Sequence, residues 1–176
     1  MSTWGGSGQV PEVSGTEEDL VGKLRARFAP AIRDLRVPRP RVVKVVIDRK
    51  DLLPVCSFLK DDLGFEHLSC ISAVDWKDHW ESVAHLYNYT TGTTVQVTAT
   101  IPYDDPKIDS LVSLWNAAYY HEREAWDLMG ITYKGNPKLE RILLPKDFRY
   151  HPLRKDFPQE TERQYISRRK LKTGGR

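Results

Sequence analysis

The alternation of apolar and polar residues on either side of Thr91-Gly92 is the feature that most limits what this chain can fold into. Residues 94–101, TVQVTATI, place every second residue, all of them apolar, on one face of an extended strand. Residues 82–89 alternate in the same way, and Thr91-Gly92 supplies a turn between the two segments. The pattern therefore predicts an antiparallel hairpin.

The other elements are predicted from the spacing of apolar residues and from residues that begin or end helices. A first helix begins with Thr16 as its cap and ends near Pro30. Gly130 suits the end of the last helix. The further segments are helices at 51–63 and about 109–129, strands at 42–48 and 67–76, and a connection at 33–41, where Pro38 and Pro40 stand among arginines.

This order of elements predicts an α+β fold. We expect two layers, a mixed and mostly antiparallel sheet of about four strands with helices on one face, plus a long extended C-terminal tail. Residues 1–15, rich in Gly and Ser, are predicted to be a flexible arm, and residues 16–130 the α+β core domain. Residues 131–176 hold four prolines and many charges, and are predicted to be an extended partner-docking tail with a basic end.

Several classes of active site are excluded by the residues themselves. Cys56 and Cys70 are the only cysteines, so the chain cannot hold an iron–sulfur cluster or a structural zinc ion through its own thiolates. His121-Glu122 opens a zinc-hydrolase motif, but the second histidine, needed at position 125, is alanine. Gly-rich phosphate loops and a nucleophile elbow are absent. We therefore predict no catalytic, cofactor-binding or metal-binding residue.

The charge and the apolar runs bear on where the chain works. A net charge of +3 is too small to indicate nucleic-acid binding without a clustered patch. No run approaches the roughly 20 apolar residues of a membrane-spanning helix. The N-terminal MSTWGGSGQV lacks the basic start and apolar core of a secretory signal. The chain is expected in the cytoplasm or on the cytoplasmic face of a larger assembly.

Glu122 falls on the apolar stripe of the predicted last helix, while Arg123, Glu124 and Asp127 fall towards its polar side. A carboxylate on an apolar face must be paired, hydrogen-bonded or neutralised, because burying it bare costs several kcal/mol. Three alternatives are open: an internal arginine such as Arg141 or Arg154, an arginine of another subunit, or a role as functional acid or base.

A second dense stretch, HPLRKDFP, spans residues 151–158. Its prolines fix φ at each end, and Leu153 and Phe157 offer apolar anchors on either side of charged residues. A rigid extended peptide of this kind can bind at low entropic cost. The residues alone leave docking and an ordinary surface loop equally open.

Taken together, the blocks EREAWDLMGI, GNPKLERILLP and HPLRKDFP resemble the signature of the C subunit of proton-pumping NADH–quinone oxidoreductases, that is, respiratory complex I and its relatives. The relatives include dehydrogenases of a reduced deazaflavin coenzyme. The resemblance extends loosely over residues 40–160, and Asn136 stands where the family usually has histidine. The residues to which it assigns partner docking are Glu122, Arg123, Glu124, Asp127, Gly130, Arg141, His151, Pro152, Leu153, Arg154, Lys155, Asp156, Phe157 and Pro158.

The resemblance implies a cofactor-free scaffold subunit in the hydrophilic arm of a membrane-bound oxidoreductase that passes electrons from NADH or a reduced deazaflavin to a quinone or phenazine. The expected partners are the large quinone-site subunit and a neighbouring iron–sulfur subunit, with clusters and flavin held by partner subunits. The chain would lie peripherally on the cytoplasmic side of the cell membrane, with no nucleic-acid partner. The alternatives are the equivalent subunit of an energy-converting hydrogenase and, from another class, a free-standing RNA-binding protein that uses the basic tail.

Overall fold

The elements follow the predicted order along most of the chain. The computed structural model describes residues 15–158 and 160, so the predicted arm, apart from Gly15, and most of the basic end lie outside the described residues. A 3-10 turn, Arg49–Asp51, leads into the second helix. The elements are α1 (Gly15–Phe28), β1 (Ile32–Arg39), β2 (Val42–Asp48), α2 (Leu52–Asp61), β3 (His67–Asp75), β4 (His79–Asn88), β5 (Thr93–Pro102), β6 (Lys107–Asp109), α3 (Ala118–Met129) and β7 (Thr132–Lys134).

The main sheet has the strand order β1-β2-β5-β4-β3. The β2–β5 pair is parallel and the other three pairs are antiparallel, which confirms the predicted mixed, mostly antiparallel sheet. The hairpin around Thr91-Gly92 is also confirmed, because β4 and β5 pair along their full length. Its register places Leu86 opposite Val95 and Ala84 opposite Val97, so that these apolar residues share a face.

The sheet has five strands rather than about four, because residues 33–41 are not a connection. Most of them form β1, which pairs with β2 at one edge of the sheet. Pro38 lacks an N–H group and would interrupt a central strand, but an edge strand tolerates it. Hydrogen bonding to β2 therefore makes these residues a strand, although the prolines in the local sequence favour a connection.

Two helices cover the buried face of this sheet, as predicted for a two-layer fold. Val43, Val45 and Ile47 alternate along β2 and are fully buried. Leu24 of α1 and Leu59 of α2 belong to the same apolar core, and these helices contact β2 and β5 respectively. α3 packs elsewhere, against β3 at the far edge of the sheet.

The last helix is shorter than predicted and begins at Ala118 instead of residue 109. Residues 107–109 form β6, in which Ile108 pairs in parallel with Tyr133 of β7. Consecutive turns then lead to α3, and the backbone N–H of Trp115 donates to the carbonyl of Leu111 at 2.9 Å. Since β7 follows Gly130, the segment predicted as a tail begins with a strand of a second, two-stranded sheet.

Candidate partner-docking site

Glu122, in α3, is a buried carboxylate that joins three segments of the chain. Its Oε2 accepts hydrogen bonds from Ser110 Oγ at 2.7 Å and from Asn136 Nδ2 at 2.9 Å. Its Oε1 accepts the backbone N–H of Leu111 at 2.7 Å. Burial raises the pKa of Glu122 above its ordinary value, although these hydrogen bonds act in the opposite direction. The carboxylate therefore holds the turn after β6 and the loop after β7 against the helix.

Of the three alternatives for Glu122, an internal arginine such as Arg141 or Arg154 is wrong. Arg141 instead pairs with Asp127 at 2.7 Å, and Arg154 donates to the carbonyl of Met129. Among the residues that the structure describes, the partners of Glu122 are the neutral donors given above. Because its side chain is fully buried, an arginine of another subunit would have to displace those donors to reach it.

Asp127 is the buried carboxylate of α3 that pairs with an arginine, Arg141. The periodicity of the helix placed it towards the polar side, yet it is fully buried beneath the segment that follows β7. Its Oδ1 accepts from Arg141 Nη1, and its Oδ2 accepts three consecutive backbone N–H groups, those of Ile142, Leu143 and Leu144, at 2.9–3.0 Å. Burial alone would raise the pKa of Asp127, but these donors outweigh it and lower the pKa below the ordinary value.

Arg123 and Glu124 face outwards from α3. The Arg123 guanidinium lies 5.3 Å from the ring centre of Tyr119 and makes long hydrogen bonds, 3.4 and 3.5 Å, to the carbonyls of Glu140 and Arg141. The Glu124 side chain is exposed. Of these two predicted docking residues, Arg123 helps to position the loop after β7, and Glu124 remains accessible to a partner.

Residues 151–155, the capping segment, lie against the C-terminal end of α3 and hydrogen-bond to its last carbonyl groups. Gly130 ends the helix at a φ of +81°, which glycine adopts without steric cost. Arg154 Nε donates to the carbonyl of Met129 at 2.7 Å, and its guanidinium stacks 5.2 Å from the ring centre of Trp80. A cation at this end of a helix also complements the helix dipole. The predicted docking arginine therefore has a structural partner within its own chain.

His151 lies against the same helix end. Its Nδ1 is 3.0 Å from the backbone carbonyl of Asp127, so Nδ1 carries the proton in this contact. Its ring packs edge-on to Trp126 at 6.1 Å. Burial lowers the pKa of His151, as do the nearby Arg154 and Arg141 side chains. The hydrogen bond to the Asp127 carbonyl acts in the opposite direction, and the net lowering of the pKa favours a neutral imidazole whose Nδ1–H donates to that carbonyl.

The rest of the HPLRKDFP block reaches the turn between β3 and β4. The backbone N–H of Lys155 donates to Asp75 Oδ2 at 2.8 Å, and its ammonium lies 5.5 Å from the ring centre of Trp76. Phe157 packs beside Phe148 at 6.4 Å. The remaining members are the partly buried Pro152 and the exposed Leu153, Asp156 and Pro158. The structure thus brings most of the predicted docking residues together around one end of α3.

Three residues of this region were missed by sequence reasoning about the site: Ser110, Asn136 and Asp75. Ser110 and Asn136 donate to Glu122, and Asp75 receives the backbone N–H groups of Lys77 and Lys155. Asn136 was visible only as a departure from the family pattern. Asp75 gave no local signal, because Lys155 lies 80 residues further along the chain.

Metal sites and membrane spans are not found in the described part of the chain. Residues 15–158 contain no group of three or more His, Cys, Asp or Glu side chains arranged to hold a metal ion. None of the helices there is long and apolar enough to cross a membrane.

Comparison with known families gives a match over most of the chain. The family model of the respiratory-chain NADH dehydrogenase 30 kDa subunit matches residues 45–163. The F420H2 dehydrogenase C subunit of Methanosarcina mazei is 36% identical over 154 residues, covering 84% of this chain and 97% of that protein. The NADH-quinone oxidoreductase C subunit of Citrifermentans bemidjiense is 39% identical over 141 residues, covering 78% and 87%.

Solved structures give a similar result. A chain of the membrane-bound sulfane sulfur reductase, an archaeal respiratory membrane complex, superposes with a TM-score of 0.76 at 26% identity, covering 87% of this chain and 92% of that one. A trypsin-resistant fragment of Nqo5 superposes with a TM-score of 0.61 at 24% identity, covering 69% and 98%. The second similarity supports the fold alone.

Proposed function

The chain belongs to the family of the respiratory-chain NADH dehydrogenase 30 kDa subunit, and on that premise we propose that it is a non-catalytic scaffold subunit of a complex I-type oxidoreductase. It holds no cofactor of its own and lies in the hydrophilic arm, on the cytoplasmic side of the membrane. It packs against the large quinone-site subunit and a neighbouring iron–sulfur subunit. The electron donor of the complex is NADH or a reduced deazaflavin. These are the donors that the names of the two relatives give for their own complexes.

The observation that supports the scaffold role is that the charged motif residues form hydrogen bonds within their own chain. Asp127 binds three backbone N–H groups, and Arg154 binds a backbone carbonyl. Glu122 binds the backbone of Leu111 together with two neutral side chains. These contacts fix the shape of the chain between Gly130 and Pro158, which is what a docking segment requires.

Purification of the tagged chain from its native membranes tests this proposal. We expect a larger redox subunit to co-purify and to be identified by mass spectrometry. The isolated chain should be colourless and contain no flavin and no iron above background. An intrinsic flavin or iron–sulfur spectrum in the isolated chain would contradict the scaffold role.

The same experiment separates the alternatives. A nickel-binding partner in place of a quinone-site subunit would assign the chain to an energy-converting hydrogenase. RNA binding predicts affinity that falls steeply with salt and is lost on deletion of residues 160–176. The identity of the co-purifying donor subunit distinguishes NADH from a deazaflavin coenzyme.

A further inference from the structure

Exposed apolar side chains are concentrated in one short stretch of the described chain. Within residues 15–158, seven large apolar residues are exposed, and four of them lie between positions 142 and 153: Ile142, Leu143, Tyr150 and Leu153. Leu143 is 60% exposed and Leu153 59% exposed. Single exposed apolar residues are ordinary on protein surfaces, but a cluster indicates an interaction site.

The backbone beneath these side chains is fixed by buried groups. Asp127 Oδ2 holds the N–H groups of residues 142, 143 and 144, so that the apolar side chains of Ile142 and Leu143 are presented on a tightly hydrogen-bonded loop. An aspartate in this position satisfies backbone donors that a solvated loop would leave to water. The loop is therefore ordered before any partner arrives.

The other apolar residue is held at the same place. The backbone N–H of Leu153 donates to the carbonyl of Leu128 at 3.1 Å, one residue after Asp127 in α3. Arg154 follows with its hydrogen bond to Met129. The last residues of α3, 127–129, thus hold both the loop at 142–144 and the segment at 153–154. The side chains of Ile142, Leu143 and Leu153 remain exposed to solvent.

The exposed charges that neighbour these residues in the sequence have a small basic excess. Lys146, Arg149 and Lys155 are exposed near them in the sequence, while the exposed acidic residues of the same stretch are Asp147 and Asp156. A partner surface with the complementary charge carries carboxylates around an apolar depression.

We propose that Ile142, Leu143 and Leu153 are preformed anchors that enter an apolar pocket bordered by carboxylates on another subunit of the same oxidoreductase. The proposal rests on the proposed function and names the chemistry of the surface that the docking segment meets. Preformed anchors bind with little further loss of conformational entropy. They also resemble binding hot spots, in which a few well-packed side chains contribute most of the affinity.

The test compares charged substitutions at equally exposed positions in the full chain, expressed with a tag in its native host. Leu143→Asp should reduce the amount of co-purifying redox subunit about tenfold or more, because a carboxylate would enter an apolar, acidic pocket. Tyr89→Asp is the matched control, since Tyr89 is 67% exposed at the β4–β5 turn, and it should leave co-purification unchanged. Leu143→Met, which keeps a large apolar side chain, should also leave co-purification unchanged.

A second pair of variants tests the charge complementarity. Arg149→Glu should weaken capture of the partner, whereas Lys50→Glu, at another exposed basic position, should not. Circular dichroism of each purified variant should match the unsubstituted chain, because all four positions are on the surface.

The outcomes are distinct. If the unsubstituted chain captures no redox subunit, both the proposed function and the anchors fail. If the unsubstituted chain captures a redox subunit and the Leu143→Asp variant captures an equal amount, only the assignment of the anchors is wrong. A dimer of the isolated chain that Leu143→Asp dissociates would assign the anchors to a second copy and overturn the proposal as well.

Discussion

Two carboxylates of α3, five residues apart, are buried in opposite chemical settings. Among the described residues, the donors to Glu122 are all neutral, and burial dominates its pKa, which is raised. Asp127 receives an arginine and three backbone N–H groups, and its pKa is lowered. Periodicity predicted the burial of Glu122 correctly, but it could not find the partners, because Ser110 and Asn136 lie outside the helix. It misplaced Asp127 because a helical pattern carries no information on a later segment that folds over its polar side.

Glu122→Ala should destabilise the chain by about 2–4 kcal/mol, since it leaves three buried donors without an acceptor and opens a cavity. Glu122→Gln should cost less, because its amide oxygen can still accept the Leu111 N–H. Urea unfolding followed by tryptophan fluorescence measures both. Equal losses in the two variants would show that the carboxylate's hydrogen bonds, not the side-chain volume that glutamine retains, are responsible.

The pH dependence of stability should have opposite signs at the two sites. The lowered pKa of Asp127 contributes stability above the unfolded value of about 3.9, and this stability is lost as the pH falls through the folded pKa. Asp127→Asn should therefore destabilise the chain at pH 7, with a difference from the unsubstituted protein that narrows towards pH ~3.

Glu122 provides the comparison for this prediction. Because its folded pKa is raised, its contribution is largest below the unfolded value of about 4.3 and declines as the pH rises through the folded pKa. Glu122→Gln should remove that decline. Urea midpoints measured from pH 3 to 7 distinguish the two, and parallel pH profiles for both variants would contradict the assigned pKa directions.

At the scale of elements, local patterns predicted the hairpin and both ends of α2 to within two residues, and non-local pairing decided the rest. Leu111 and Trp115 are buried at helical spacing, yet they lie in consecutive turns, because turns of similar pitch can bury the same positions as a helix. Residues 107–109 became a strand only because β7 lies beside them. No local property of either segment indicates that pairing.

Gly130 is the element boundary that tolerates substitution least. A Cβ there would lie 2.8 Å from His151 Cδ2 and closer still to Arg154 Nη2, at a φ of +81°. Gly130→Ala should therefore cost about 2–4 kcal/mol, the sum of a left-handed backbone and displacement of the capping segment. Thermal unfolding measures this cost.

Gly64 is the matched control for Gly130. Its φ is +71°, but the atom nearest to an added methyl group, Asn88 Nδ2, would lie at 3.4 Å, an ordinary contact distance. Gly64→Ala should cost only the backbone contribution, about 1–2 kcal/mol. Equal losses at both glycines would mean that the capping segment moves aside without cost.

At the scale of the whole molecule, assembly should respond more strongly than turnover. Glu122→Ala releases Asn136 in the loop after β7, and Arg154→Ala releases the capping segment, so the amount of assembled complex should fall while activity per assembled complex changes little. Native gels with in-gel activity, normalised to the amount of complex, measure both quantities. Normal assembly with collapsed turnover would instead assign a proton-handling or catalytic role.

The family of the chain was easier to predict than the contacts of its residues, because long motifs in a fixed order indicate the family. The three blocks identified the family from the residues alone, and the family match confirms that identification. The roles of individual motif residues were not predictable, since Arg154 and Asp127 bind groups within their own chain that only the folded structure brings near.

The edge strand β1 has a consequence for the life of the chain before it meets other subunits. Pro38 offers no N–H, two irregularities interrupt the register with β2, and Arg33, Asp34, Arg36 and Arg39 place charges along the strand. Such an edge is a poor template for adding a strand from a second molecule. Growth of the sheet by strand addition at β1 is therefore disfavoured while the chain is not bound to other subunits.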